Sequence, residues 1–208
     1  SKGIYSIENY LMARRLMYWQ VYLHKTSVAA EKMLVSALLR AKELAEKGVE
    51  LFASPALHFF LYNNITSEDF KTSPICLDNY TKLDDNDIWT SLKIWCDHPD
   101  IILSTLSKGI INRKLFRVEV SDKPISKEYK AKLLKGISTH LNISLKDSEY
   151  FLCTNSIGKD MYSKEDDSID IMFKDGETHD IAYASDMLNI STLSKKVRKY
   201  YICTLRLE

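Results

Sequence analysis

No run of apolar residues in this sequence approaches the roughly 20 needed to cross a bilayer as a helix, so a membrane span is not expected. The start, SKGIYSIENY, lacks the basic stretch, apolar run and small-residue cleavage site of a secretory signal. Neither sign of charge is in excess. The 29 Lys and Arg stand against 28 Asp and Glu, a net charge of +1, and no whole-protein field points to nucleic acid. Four cysteines, Cys76, Cys96, Cys153 and Cys203, are dispersed and form no CxxC pair. That argues against a zinc knuckle and fits reduced thiols in a cytoplasmic protein. The chain has no Walker loop and no GxGxxG, so neither Gly-rich phosphate cradle is present. No Ser/His/Asp or Cys/His constellation can be read from the order of residues.

Proline and glycine are absent from about Ser6 to Lys47, a stretch rich in Ala, Leu, Met, Lys and Glu, the good helix formers. Ser6 can cap its start. Ala30, Met33, Leu34, Ala37, Leu38, Ala41 and Leu44 recur at helical spacing and mark one buried face. Gly48 suits the C-terminal end. A continuous helix of this length is unusual in a globular domain, so a kink or break within it is allowed for. Pro55 to Leu61 reads as a short helix broken by Asn63-Asn64. Thr66-Ser-Glu-Asp resembles a capping box, and residues 72–81 read as loop. Asp84, Asp85 and Asp87 stand where a helix start favours negative charge, and are read as caps in preference to a Mg²⁺ or Ca²⁺ site. A further helix follows Pro99 and ends near Asn112.

The pattern changes after Arg113. LFRVEV alternates as a strand does, KEYKAKLLKGISTHL is an amphipathic helix, and EYFLCTNS is a strand. SIDIMFKDGETHDIAYAS reads as two strands about an Asp175-Gly176 turn. LNISTLSKKV reads as a helix and KYYICTLRL as a closing strand. The fold class expected is α+β: a helical region over 1–115, then a small ferredoxin-like α+β unit over 116–208. The basic cluster Ser194–Lys199 beside Tyr200 and Tyr201 has the chemistry to touch phosphate or RNA, although a solvated helix end is the plainer reading.

One stretch concentrates chemistry. ARRLMYWQVYLHKT, Ala13 to Thr26, holds two arginines, two tyrosines, a tryptophan, a histidine and a lysine. On a regular helix Arg14, Tyr18 and Tyr22 lie along one side, and Lys25 returns to it after almost three turns. Arg14 can grip a phosphate in a fork and Lys25 can add a point charge. Tyr18 and Tyr22 offer flat faces with hydroxyl tips, suited to a sugar or base. Leu16, Val21 and Leu23 lie elsewhere around the helix and are expected to serve the core. The plain alternative is an aromatic core helix with basic side chains reaching past it.

The segment GIYSIENYLMARRLMYWQVYLHKT, followed by AAEKML, resembles the HD-superfamily phosphohydrolases, especially those related to deoxynucleoside triphosphate triphosphohydrolases. The likeness rests on an Arg, a Tyr eight residues on, and a His-Lys pair: here Arg14, Tyr22, His24 and Lys25. It implies that Arg14 and Tyr22 face the nucleotide, and that His24 and Lys25 face an effector site, as in some members. Where better-known members carry His between the Arg and Tyr, this chain has Tyr18, a departure that puts the role of that position in question. LDDNDIWTSLKIWCDHPDIILSTLSKGIINRKLFR resembles the family's downstream helices, ending in an Arg and a Leu-Phe pair. The likeness covers roughly residues 3–118, and the α+β remainder corresponds to the family's variable C-terminal region.

The family's defining His, His-Asp, Asp metal motif is absent. Of the five histidines, His24, His58, His98, His140 and His179, only His179 precedes an Asp; His179-Asp180 falls in the expected hairpin and reads as surface. The resemblance therefore implies the C-terminal part of a metal-dependent phosphohydrolase, an expectation that the start at Ser-Lys-Gly instead of Met supports. Its substrate would be a nucleotide, such as a deoxynucleoside triphosphate, or another phosphorylated small molecule. The divalent metal belongs to the longer parent. No metal and no catalytic residue is expected within this chain, which should be inactive alone and homo-oligomeric. The alternative is a non-catalytic interaction or effector-binding module.

Overall fold

A computed structural model of the chain describes residues 2–22, 24–158, 168–184 and 198–207. The helical first half contains α1 (Lys2–Met17), a π-helical turn (Tyr18–Tyr22), α2 (Lys25–Glu46), α3 (Pro55–Tyr62), α4 (Asp69–Thr72), α5 (Pro74–Lys82), α6 (Asp85–Trp95) and α7 (Ile101–Ile111). Then come β1 (Arg117–Ser121), α8 (Lys127–Leu141), a 3-10 turn (Asp147–Phe151), β2 (Leu152–Gly158), β3 (Asp170–Met172), β4 (Thr178–Asp180), α9 (Ile181–Ala184) and β5 (Arg198–Thr204). The class is α+β with an N-terminal helical region, as the sequence predicts.

Local chemistry accounts for most of the boundaries. Asp84 and Asp87 form the reciprocal capping box of α6: Asp84 Oδ1 accepts the Asn86 N–H at 2.7 Å, and Asp87 Oδ2 accepts the Asp84 N–H at 2.8 Å. Ser54 and Asp100 cap α3 and α7 through the N–H groups of Leu57 and Leu103. Gly48, at φ +78°, closes α2: its N–H reaches Ala45 O at 3.0 Å and the Val49 N–H reaches Leu44 O at 3.0 Å. That is a Schellman ending, for which glycine carries no Cβ penalty. Helix α8 occupies the span its amphipathic pattern marks, with Leu134 and Ile137 buried.

Several expectations are corrected. Helix α1 begins at Lys2, so Ser6 lies inside it and is not its cap. The break allowed for in the long helix is present: a π turn intervenes and α2 starts afresh at Lys25. Residues read as loop form α5, started by Pro74 and docked through buried Cys76; a proline's fixed φ suits the first helical turn, a signal that Ser73-Pro74 carried. The segment after β4 turns into α9 instead of extending as strand. Leu16 and Val21 are exposed, at 51% and 46%, because the inward stripe of α1 runs through Ile4 and Leu11. The helix read over LNISTLSKKV lies outside the described residues, as do most of the basic cluster and Leu23.

Contacts divide the chain into two compact units, discontinuous in sequence. The first comprises 1–28, 119–125 and 154–202. Here Ile4 and Leu11 of α1 meet Ile181, with Ile7, Met12, Ile169 and Ile171 packed around them. The β3–β4 hairpin that supplies Ile169 and Ile171 is antiparallel, pairing Ile171 with His179, and turns at Gly176 (φ +85°).

The second unit comprises 29–118, 126–153 and 203–208. Its core is the predicted face of α2, with Met33, Ala37, Ala41 and Leu44 buried, joined by Leu57, Trp95, Leu103 and Leu106. Helix α7 approaches α2 closely at Gly109, where a Cβ would stand 2.5 Å from Met33 Cε. Two aromatic polar ends are tied off: Trp95 Nε1 donates to Phe52 O at 3.0 Å, and Tyr62 Oη accepts the Leu51 N–H and donates to Val49 O. Strands β1, β5 and β2 pair in that order, and β3 pairs with β4 separately.

Candidate functional site

The arginine and first tyrosine of the opening stretch come together. Tyr10, Ala13, Arg14, Met17 and Tyr18 recur at three- and four-residue spacing and line an open cleft of about 640 Å³ along the C-terminal half of α1. The Arg14 guanidinium carbon sits 5.8 Å from the centroid of the Tyr18 ring. Arg14 is exposed and makes no ion pair among the described residues. Its five planar N–H donors therefore remain open to an oxyanion, with the guanidinium seated over an aromatic face.

Beyond Tyr18 the regular helix ends. Tyr18–Tyr22 is a π turn, a widened turn that recurs at functional sites. It changes the phase on which the one-sided alignment of Arg14, Tyr18, Tyr22 and Lys25 was built. Tyr22's side chain lies outside the described residues. His24 is exposed, and its Nδ1 accepts the Thr26 N–H at 3.3 Å, as an N-cap side chain does for α2. Lys25 is the first residue of α2, exposed, and not among the residues lining the cleft. A lysine there stands at the positive end of a 22-residue helix dipole, where a cation is disfavoured for stability.

The histidines behave mainly as structural or surface groups. Among the described residues no group of three or more His, Cys, Asp or Glu is placed to hold a metal ion. The described residues thus offer no ligand set for the divalent metal that the resemblance implies. His98 Nδ1 accepts the Asp100 N–H at 3.0 Å in the turn before α7. His58 stacks on Tyr62 at 4.1 Å. His179 is exposed, but Asp180, read as surface, is 5% exposed and interior.

One charged hub escaped the sequence reading. Arg40 on α2 is 9% exposed. Its Nε and an Nη reach the two oxygens of Asp100 at 3.1 and 2.6 Å, and the other Nη reaches Glu43 at 2.7 Å. The Tyr150 hydroxyl donates to Glu43 at 2.5 Å, and the Arg40 guanidinium lies 5.6 Å from the Tyr150 ring. The Lys47 hydrogen bond foremost, then those of Tyr150 and Arg40, hold the Glu43 carboxyl down at about 2 against partial burial. Burial alone would raise Asp100; the Arg40 hydrogen bonds, the Leu103 N–H and the Arg40 charge outweigh it and keep Asp100 below the usual range. Burial, then Glu43, pushes the Tyr150 phenol up to about 12. The hub joins α2, the α7 start and the 3-10 turn.

Residues 1–54 match the HD associated region family. The match covers α1, the π turn, α2 and the approach to α3. The crystal structure of a phosphohydrolase (BT4208) from Bacteroides thetaiotaomicron VPI-5482 is 64% identical, with a TM-score of 0.92 over 99% of this chain and 51% of that one. The uncharacterized protein YwfO of Bacillus subtilis (strain 168) is 36% identical over 115 residues, 55% of this chain and 24% of the relative. This chain thus spans about half the length of the solved phosphohydrolase and less of the curated relative.

Proposed function

Because the chain is related to HD-type phosphohydrolases, we propose that it is the C-terminal part of a metal-dependent phosphohydrolase acting on a nucleotide, with deoxynucleoside triphosphates the class to test first. The observation that carries this reading is the unpaired Arg14 guanidinium over the Tyr18 ring in an open cleft of α1. In this reading Arg14 neutralises phosphate charge and Tyr18 and Tyr22 shape the sugar or base wall. Lys25 and His24, at the start of α2, meet phosphate or an effector anion. The metal that polarises phosphate and activates water is held by residues outside this chain, which is silent by itself.

Thermal melting with and without a deoxynucleoside triphosphate tests the binding half. At a hundredfold excess over Kd the ligand adds about 2.7 kcal/mol of stability, a rise of roughly 5–10 °C for a chain of this size. The rise is expected in the wild-type chain, absent in Arg14→Ala, and unaccompanied by phosphate release. A rise that survives Arg14→Ala puts the nucleotide elsewhere. No rise at all favours a non-catalytic assembly module. Phosphate release by the chain alone contradicts the placement of the chemistry outside it.

A further inference from the structure

A second cavity, of about 580 Å³, lies within the second unit at the C-terminal ends of α7 and α8. Its floor is apolar: Met33, Leu106, Phe116 and Phe151 are each at most 3% exposed, and Leu205 adds a flank. Its rim is cationic: Lys108, Arg113, Lys114, Arg206 and His140 converge there, and no Asp or Glu lines it. None of these five side chains makes an ion pair or hydrogen bond among the described residues. Arg40, Lys47, Lys71 and Lys82, by contrast, each have a carboxylate partner. Five basic side chains around one cavity, with no carboxylate in its lining, are a local concentration in a chain whose net charge is only +1.

Cations near helix C-termini are ordinarily explained by the helix dipole. Two observations go beyond that account. Arg206 comes from the segment after β5, not from either helix end. Arg113 has φ 56°, the left-handed region that L side chains rarely adopt. It is the residue after the C-cap of α7, in the same Schellman ending as Gly48: Arg113 N–H reaches Ile110 O at 3.1 Å and Lys114 N–H reaches Gly109 O at 2.8 Å. Helix α2 uses Gly48 for this left-handed conformation and α8 uses Asn142 (φ 51°), the usual residue types. Among the described residues only α7 places an arginine there, at a cost in backbone energy, and that arginine lines the cavity. The same hydrogen bonds occupy the last α7 carbonyls, so the negative end of that helix is blunted on this side.

We propose that this cavity binds an organic anion with an apolar body, a carboxylate or phosphate carried on an acyl or aryl group. The apolar floor takes the body and the rim takes the charge. The volume lies within the range of small-molecule sites, and a few converging polar groups over an apolar lining is their usual composition. The site is separate from the α1 cleft and stands whether or not the nucleotide reading does.

The test uses this chain with four probes: octyl phosphate, octanoate, octanol and inorganic phosphate, followed by titration calorimetry and thermal melting. Octyl phosphate or octanoate is expected to bind at least about tenfold more tightly than octanol and inorganic phosphate. Whichever of the two binds more tightly names the head group. Arg113→Gly is expected to raise the unliganded Tm by about 2–4 °C, by relieving the left-handed backbone, while weakening the anion about tenfold. Arg206→Gln weakens it comparably without that gain. Lys93→Gln leaves it unchanged. Equal binding of octanol would show an apolar hollow only. Equal binding of inorganic phosphate would show charge attraction only. Either result, no binding, or a less stable Arg113→Gly that binds normally overturns the proposal.

Discussion

Arg40→Ala is expected to remove about 3–5 kcal/mol of stability, a fall in Tm of roughly 10–15 °C, measured by calorimetry or denaturant titration. The size follows from what remains behind. Asp100 keeps a carboxylate whose side chain is only 14% exposed, with the Leu103 N–H as its remaining partner. Glu43 and Tyr150 lose the cation between them. A charge left buried without its counter-ion costs far more than an exposed pair contributes. The double variant Arg40→Ala/Asp100→Ala should lose much less than the sum of the single variants, since each single change strands the other partner. Additive losses would show that the two side chains are independent.

The same hub sets an acid response. Glu43 and Asp100 both titrate lower in the folded chain than in the unfolded one. Groups of that kind contribute stability above the unfolded carboxylate value, about 4, and lose it as pH falls toward the folded one, which for Glu43 is about 2. Melting of the wild type should therefore drop steeply between roughly pH 4.5 and 2. The Arg40→Ala curve should be flatter there, because Asp100 loses the Arg40 hydrogen bonds and charge that hold it low, whereas Glu43 keeps those of Lys47 and Tyr150. Parallel curves would remove Arg40 as the cause.

On the proposed function, Arg14→Ala made in a metal-loaded longer phosphohydrolase is expected to lower kcat by about 10²–10³, the usual loss when one preorganised donor to a developing oxyanion is removed. Tm should change by no more than about 1–2 °C, because Arg14 is exposed and makes no ion pair among the described residues. Arg14→Lys should recover only part of the rate, since an ammonium cannot form the two-pronged contact of a guanidinium. A variant with normal kcat and KM would take Arg14 out of the site. A variant that loses rate together with several kilocalories of stability would make it a structural residue.

Where the physics is local, the sequence foretold the structure. The capping pair Asp84 and Asp87, the stop at Gly48, the Asp175-Gly176 turn and the amphipathic span of α8 each rest on groups within a few residues of one another. The face of α2 was legible for the same reason: Met33, Ala37, Ala41 and Leu44 need only a 3.6-residue period to line up. Arg14 beside Tyr18 is likewise one helical turn. The likeness to HD-type phosphohydrolases also lay in this stretch, as the match over residues 1–54 bears out.

Tertiary structure decided what local order could not. The π turn at Tyr18–Tyr22 shifted the helical phase and removed the basis for bringing Lys25 back to Arg14, a change that no residue type announced. Leu16 and Val21 looked like core residues by composition, yet which side of α1 is covered depends on where Ile181 arrives, from far along the chain. Nothing in the order of residues singled out Arg40; Asp100, 60 residues on, and Tyr150, bonded to Glu43 across 107 residues, made it the centre of a network. The cationic cavity is assembled in the same way, from α7, α8 and the segment after β5. Hydrogen bonding and periodicity act over a few residues and can be read in order along the chain. Burial and charge pairing act between residues that only packing brings together, so the environment of a side chain belongs to the fold.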